Sequence, residues 1–185
     1  FGESFNNIGF VYGRLGQYPK ALENYHQALD ISHEIGNRQG EGATLNNIGV
    51  VYRSLGEYHQ ALENLGQALA ISREIGDRSG EGNTLSNIAG IYDALDQYSQ
   101  ALETYAQALD ILREIGNRNS EGATLNNIGI VYRNLGQYQE ALEKFNQALD
   151  IHRKIGNRSG EGVTFNNIGY TLLQTAQLPI AEEYF

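Results

Sequence analysis

The chain has 185 residues and a net charge of −9, because 22 Asp and Glu outnumber 13 Lys and Arg. That balance argues against a nucleic-acid partner, since phosphate binding rests on Lys and Arg. With no Cys in the chain, disulfides, thiol chemistry and thiolate metal sites are excluded.

The four His (His26, His33, His59 and His152) sit singly at unrelated spacings. A metal site needs clustered ligands, so neither a metal nor another cofactor is expected. No run of 18 apolar residues occurs, so no membrane span is expected and a cytoplasmic location is. The chain has no Met and opens inside a repeating pattern, which reads as a piece of a longer protein.

That pattern has a period of 40 residues. The copies are residues 1–40, 41–80, 81–120 and 121–160, with a partial fifth at 161–185, and together they read as a single array over 1–185. Residues 41–80 and 121–160 are identical at 28 of 40 positions. Each copy reads as two helices. In the second copy Leu45, Ile48, Tyr52 and Leu55 are three or four apart, which puts them on one helical face. Leu55-Gly56-Glu57-Tyr58 then breaks the helix, since Gly closes a helix cheaply in the left-handed conformation. A second helix carries Tyr58, Ala61, Leu62, Leu65, Ala68, Leu69 and Ile75, and stops at Gly76. Gly49 sits mid-helix at a cost of about 1 kcal/mol relative to Ala. Its recurrence as Gly9, Gly129 and Gly169 predicts a tight helix crossing. One such hairpin cannot bury its apolar faces alone, so neighbouring hairpins must stack into an all-α solenoid.

At Leu45, Ile48-Gly49, Tyr52, Gly56, Tyr58, Ala61, Leu65 and Ala68 the pattern resembles the tetratricopeptide repeat family. The resemblance covers essentially the whole chain and implies a right-handed superhelical solenoid of antiparallel helix pairs. Two departures stand out. The first signature position is Leu or Phe (Phe5, Leu45, Leu85, Leu125, Phe165) in place of a larger aromatic residue. The Pro that usually ends the second helix is missing, so that helix runs on through Ile75. The long period is similar to arrays in multidomain bacterial, often cyanobacterial, proteins. It is also similar to the peptide-binding arrays of spindle-orientation adaptors and kinesin light chains.

The resemblance implies that peptides bind on the inner, concave side of the first helices. At 100° per residue, the side opposite Leu45 and Ile48 carries Ala43, Asn46, Asn47, Val50, Arg53 and Ser54. Asn6, Asn46, Asn126 and Asn166 share one column with Ser86. Asn7, Asn47, Asn87, Asn127 and Asn167 form the next. Asn is a poor mid-helix residue, because its amide competes with the backbone. An amide ladder can hold the backbone of an extended peptide. Alternatively the amides bond the neighbouring repeat and hold the stack, and for the Asn47 column the two readings weigh equally. On the ligand reading, replacing Asn46 and Asn126 with Ala leaves the melting temperature nearly unchanged.

Phe10, Val50, Ile130 and Tyr170 form an apolar column on the same side, with Gly90 between them, and mark either a binding stripe or a buried seam. Arg53 and Arg133 lie beside it. Across these columns Arg14, Arg53 and Arg133 face Glu3 and Asp93, so the groove is less acidic than the chain. Neither Asn column holds Lys or Arg, which excludes the terminal-carboxylate clamp of chaperone-binding family members. Arg38, Arg78, Arg118 and Arg158 each precede a Glu by three residues, as local turn pairs or as a comb for anionic ligands. No catalytic constellation breaks the repeat symmetry, so a protein- or peptide-binding scaffold is expected and an enzyme is not. A structural or self-assembling spacer, or the regulatory arm of a catalytic domain outside this sequence, are the alternatives. Apolar residues at the two ends (Phe1 and Phe5; Leu172, Leu173, Leu178, Ile180, Tyr184 and Phe185) lead to an expectation of head-to-tail self-association.

Overall fold

The sequence punctuates its own helices. Asn37, Asp77, Asn117 and Asn157 each accept a hydrogen bond from the backbone N–H three residues on, at 3.0, 2.9, 3.2 and 2.9 Å. A side-chain oxygen there satisfies a donor that the first turn leaves unpaired. At the other ends Gly16, Gly36, Gly56, Gly76, Gly116, Gly136 and Gly156 all take positive φ, the left-handed stop that a side chain disfavours. Asp96 occupies the same turn column at φ 57° without being Gly.

The computed structural model describes the backbone of residues 2–182 and the side chains of 2–175. Among the described residues the elements are all α-helices: α1 (Gly2–Arg14), α2 (Tyr18–Glu34), α3 (Arg38–Leu55), α4 (Tyr58–Glu74), α5 (Arg78–Ala94), α6 (Tyr98–Glu114), α7 (Arg118–Asn134), α8 (Tyr138–Lys154) and α9 (Arg158–Glu182). The chain divides into two compact units, Phe1–Leu95 and Asp96–Phe185. In the first unit, α1 pairs with α2 and α3 with α4, while α2 packs on α3 and α4 on α5. In the second, α7 pairs with α8, flanked by α6 and α9.

The fifth copy departs from the two-helix reading. α9 runs without interruption from Arg158 to Glu182. Ala176 stands where Gly16, Gly56 and Gly136 reverse the chain, and without a residue suited to positive φ the helix continues.

Burial follows the predicted faces. Ala21, Tyr25, Ile48 and Val51 form one core cluster, and Ala61, Leu65, Ile88 and Ile91 another, with Tyr52 packed against both. Each fully buried residue the size of Ile48 contributes about 1.5–3 kcal/mol. Leu55 and Ile75, which the spacing put on these faces, are instead 42% and 40% exposed, at the end of α3 and just after α4. In the second unit Leu125, Val131, Ala141, Phe145 and Ala148 are buried.

The glycine crossing is present at Gly9, Gly49 and Gly129, whereas a Cβ on Gly169 would meet nothing within 4 Å. A Cβ on Gly49 would stand 2.6 Å from the Leu65 side chain, one on Gly129 2.6 Å from the Phe145 ring, and one on Gly9 2.8 Å from the Tyr25 ring. The missing methyl lets the large side chain of the paired helix seat directly on the first helix. Gly66 on α4 has nothing within 4 Å of such a Cβ. Alanine therefore acts with opposite sign at these two helical sites. Gly66→Ala should raise stability by about 0.5–1 kcal/mol through helix propensity. Gly49→Ala should lower it by about 1–3 kcal/mol through overpacking. Urea titration of both variants checks the pair, and equal signs would contradict the crossing.

Candidate functional site

The first helices carry the candidate columns. In the first unit Asn6, Asn7 and Phe10 lie on α1, Asn46, Asn47, Val50 and Arg53 on α3, and Asn87 on α5. In the second, Asn126, Asn127, Ile130 and Arg133 lie on α7, and Asn166, Asn167 and Tyr170 on α9.

The amides are linked between repeats. Asn46 Oδ1 accepts from Thr84 Oγ1 at 3.2 Å and from Asn87 Nδ2 at 3.0 Å. Asn6 Oδ1 likewise accepts from Thr44 Oγ1 at 3.4 Å and Asn47 Nδ2 at 3.1 Å. Asn126 Oδ1 accepts from Asn167 Nδ2 at 3.1 Å. One oxygen thus gathers a hydroxyl and an amide from the following first helix. Thr44, Thr84, Thr124 and Thr164 are all buried. Periodicity puts these Thr on the helix, but it cannot say which side-chain oxygen they reach. Asn126 is itself 7% exposed, whereas Asn7 and Asn166 are exposed and Asn47 and Asn127 half-buried. The Nδ2 group of Asn46 and the Oδ1 of Asn47 take no part in these bonds.

Two depressions open on this face in the first unit. One, about 620 Å³, is bordered by Asn6, Asn7, Gln39, Ala43 and Thr44. The other, about 160 Å³, is bordered by Ala43, Asn46, Asn47, Asn83 and Thr84. In the apolar column Val50 and Ile130 are half-buried, while Phe10 is 55% and Tyr170 53% exposed. Arg133 donates to Asn167 Oδ1 at 3.3 Å and lies over the Tyr170 ring at 5.0 Å, a cation–π contact that holds its guanidinium on the face.

The Arg-Glu column forms clamps rather than a free comb. Arg78 Nη1 donates to Glu81 at 2.6 Å, and Arg73 Nε, from the end of α4, reaches the other oxygen at 2.9 Å. Arg118 and Arg113 hold Glu121 in the same way at 2.5 and 3.0 Å. The local pair was legible three residues apart in sequence; the second Arg, eight residues before the Glu, was missed. Burial pushes the Glu81 carboxyl up, but the hydrogen bonds and charges of Arg73 and Arg78 outweigh it and hold it below its ordinary range. At the fourth copy Arg153 instead lies over the Phe165 ring at 5.3 Å, and Arg158 meets Glu161 at 3.3 Å.

His152 occupies a slot under two glycines, since a Cβ on Gly122 or Gly160 would come within 2.8 or 2.6 Å of its ring. It is 3% exposed, and burial holds its pKa below the ordinary value, with Glu161 opposing the shift. The folded state therefore favours neutral imidazole, so its contribution to stability is complete above about pH 6.5 and declines as pH falls below it. His152→Leu, the residue at Leu112 in the third copy, should flatten the stability profile between pH 7 and pH 5. Chemical denaturation across that range checks it, and an unchanged slope would contradict the assignment.

Of the apolar residues expected to be open at the ends, Leu172 and Leu173 are exposed and Phe5 is half-buried. Phe1 and the side chains of Leu178, Ile180, Tyr184 and Phe185 lie outside the described residues. Among the described residues no group of three or more His, Asp or Glu could hold a metal, and no helix is long and apolar enough to cross a membrane.

The amide links set an expectation for Asn46. Removing its side chain strands Thr84 and Asn87, so Asn46→Ala should cost about 1–3 kcal/mol in urea unfolding. A change under about 0.5 kcal/mol, ordinary for a surface substitution, would return the amide to the ligand reading.

The sequence matches the family profile described as tetratricopeptide repeat over residues 2–74, 41–114 and 120–185. No curated protein matches it. Among solved structures, BtubC (BKLC) from P. vanneervenii is 21% identical with a TM-score of 0.78, over 98% of this chain and 75% of that one. A putative kinesin light chain from Podosopora anserina with nearly identical TPR-like repeats is 21% identical with a TM-score of 0.71, over 98% and 90%. A Rap protein complexed with competence and sporulation factor is 19% identical with a TM-score of 0.81, over 97% of this chain and 50% of that one. At these identities the likeness concerns the fold, a solenoid of paired helices.

Proposed function

Because the chain belongs to the tetratricopeptide repeat family, we propose that it is a protein-interaction scaffold whose first-helix face takes an extended polypeptide. Among the similar structures, the Rap protein is one that was solved with a bound factor. The observation that supports this reading most is the pair of depressions between α1 and α3 and between α3 and α5. Both are rimmed by amide groups, and Phe10 and Val50 stand one turn further along α1 and α3 from the bordering Asn. The amide oxygens of Asn6, Asn46 and Asn126 serve the stack. In each unit the binding surface is then what remains: in the first, the Asn7 amide, Oδ1 of Asn47 and Asn87, Nδ2 of Asn6 and Asn46, and Phe10 and Val50 with Arg53 beside them; in the second, the Asn127 and Asn166 amides, Nδ2 of Asn126, and Ile130 and Tyr170 with Arg133 beside them. Such a site reads main-chain polar groups through the amides and places apolar side chains along the column.

A random-peptide display selection against the chain tests the proposal, followed by binding measurements on the best peptide. Val50→Glu combined with Ile130→Glu should weaken it at least about tenfold, on the order of the 1.4 kcal/mol that a factor of ten represents. The melting temperature should barely move, because both side chains are only half-buried. Undiminished binding, with amide shifts elsewhere than α1, α3, α7 and α9, would contradict the site.

A further inference from the structure

A second candidate site lies away from the Asn columns, where one repeat lacks a group that its siblings possess. At Glu81 and Glu121 both carboxylate oxygens are bonded by arginine, one from the local pair and one from the end of the preceding helix. Glu41 stands in the same column and has the local partner, Arg38 Nη1 at 2.6 Å. The position of Arg73 and Arg113 is taken here by His33. Its Nδ1 stays 4.0 Å from Glu41 Oε1, beyond hydrogen-bonding distance, and its side chain is 80% exposed. Arg38 cannot supply the second bond, because its other arm is committed to Glu74.

A cavity of about 450 Å³ opens at this place, lined by Leu29, His33, Glu34, Glu41, Leu45 and Gln67. Asp30 adds a third carboxylate, and no Lys or Arg lines it. Leu29 and Leu45 offer apolar wall for a methylene stem, while Glu41 Oε1 and Glu34 offer acceptors at its end.

We propose that this crevice between α2, α3 and α4 is a docking slot for an arginine side chain of a partner polypeptide. The sibling repeats show the geometry the incoming group adopts, a guanidinium N–H 2.9–3.0 Å from the inner oxygen of the buried carboxylate. A guanidinium suits it better than an ammonium, because its planar fork donates to two acceptors at once and it is more weakly hydrated. The stem lies along the leucines as long cationic side chains do on apolar surface.

The test is a titration of the ¹⁵N-labelled chain with N-acetyl-arginine N-methylamide, followed by amide shifts. The lysine and citrulline analogues are the comparisons. Shifts should concentrate at Leu29, His33, Glu41 and Leu45, with the arginine compound binding about two- to fivefold more tightly than the neutral citrulline one, the factor expected of one exposed ion pair. His33→Arg, which fills the slot as in the sibling copies, should abolish these shifts without lowering the melting temperature. His26→Arg, with the same charge change on exposed α2 surface, should leave them intact. Glu41→Gln should weaken binding while the fold persists. Equal binding of citrulline, shifts spread over the acidic surface, or undiminished binding by His33→Arg would overturn the proposal.

Discussion

The repeat stack depends on one acceptor shared by two donors. Asn46 Oδ1 takes a hydroxyl hydrogen from Thr84 and an amide hydrogen from Asn87, and so fixes two consecutive turns of α5 against α3. The same pair of bonds recurs between Asn6 and α3, and Asn126 holds Asn167 on α9. Asn in mid-helix works against the helix, because its side chain competes for backbone groups. Here the carboxamide is committed to the neighbour, and a buried Thr hydroxyl would lose its partner without it. A ligand of the proposed site would meet a surface on which several amide groups are already bonded within the stack.

Around that link the apolar packing divides into two kinds. Within a hairpin, the space left by Gly9, Gly49 and Gly129 receives Tyr25, Leu65 and Phe145, so variation in one helix is met by an absence in the other. Between hairpins, Ile48, Val51, Ile88 and Ile91 sit against the Ala and Leu positions of the second helices. The Arg-Glu clamps add a charged seam at the ends of α4 and α6, where the α4–α5 and α6–α7 turns bring a distant Arg to a carboxylate buried on the next helix.

Period, helix limits and glycine crossings were legible because each depends on local chemistry. An Asn or Asp cap, a Gly at positive φ and a helical spacing of apolar residues all act within a few positions. What the sequence left open involves choices between atoms or across turns. Both Asn columns face one side of their helix, and only the approach of the next helix decides that Oδ1 of the first column is spent within the stack. Arg73 lies eight residues from Glu81 across a turn, so no helical spacing links them. In the fifth copy Leu172, Ala176 and Leu178 stand in the Tyr, Gly and Tyr columns of the other repeats. Ala176 removes the turn itself, and α9 continues through it.

A double-mutant cycle between Asn46 and Asn87 tests the shared-acceptor account most directly. Asn46→Ala, Asn87→Ala and the double variant are unfolded in urea alongside the parent chain. If Asn46 Oδ1 is the acceptor that joins the repeats, the two substitutions are coupled by about 0.5–3 kcal/mol, the range for residues in one hydrogen-bond network. Effects that add to within about 0.3–0.5 kcal/mol, as independent sites do, would contradict it.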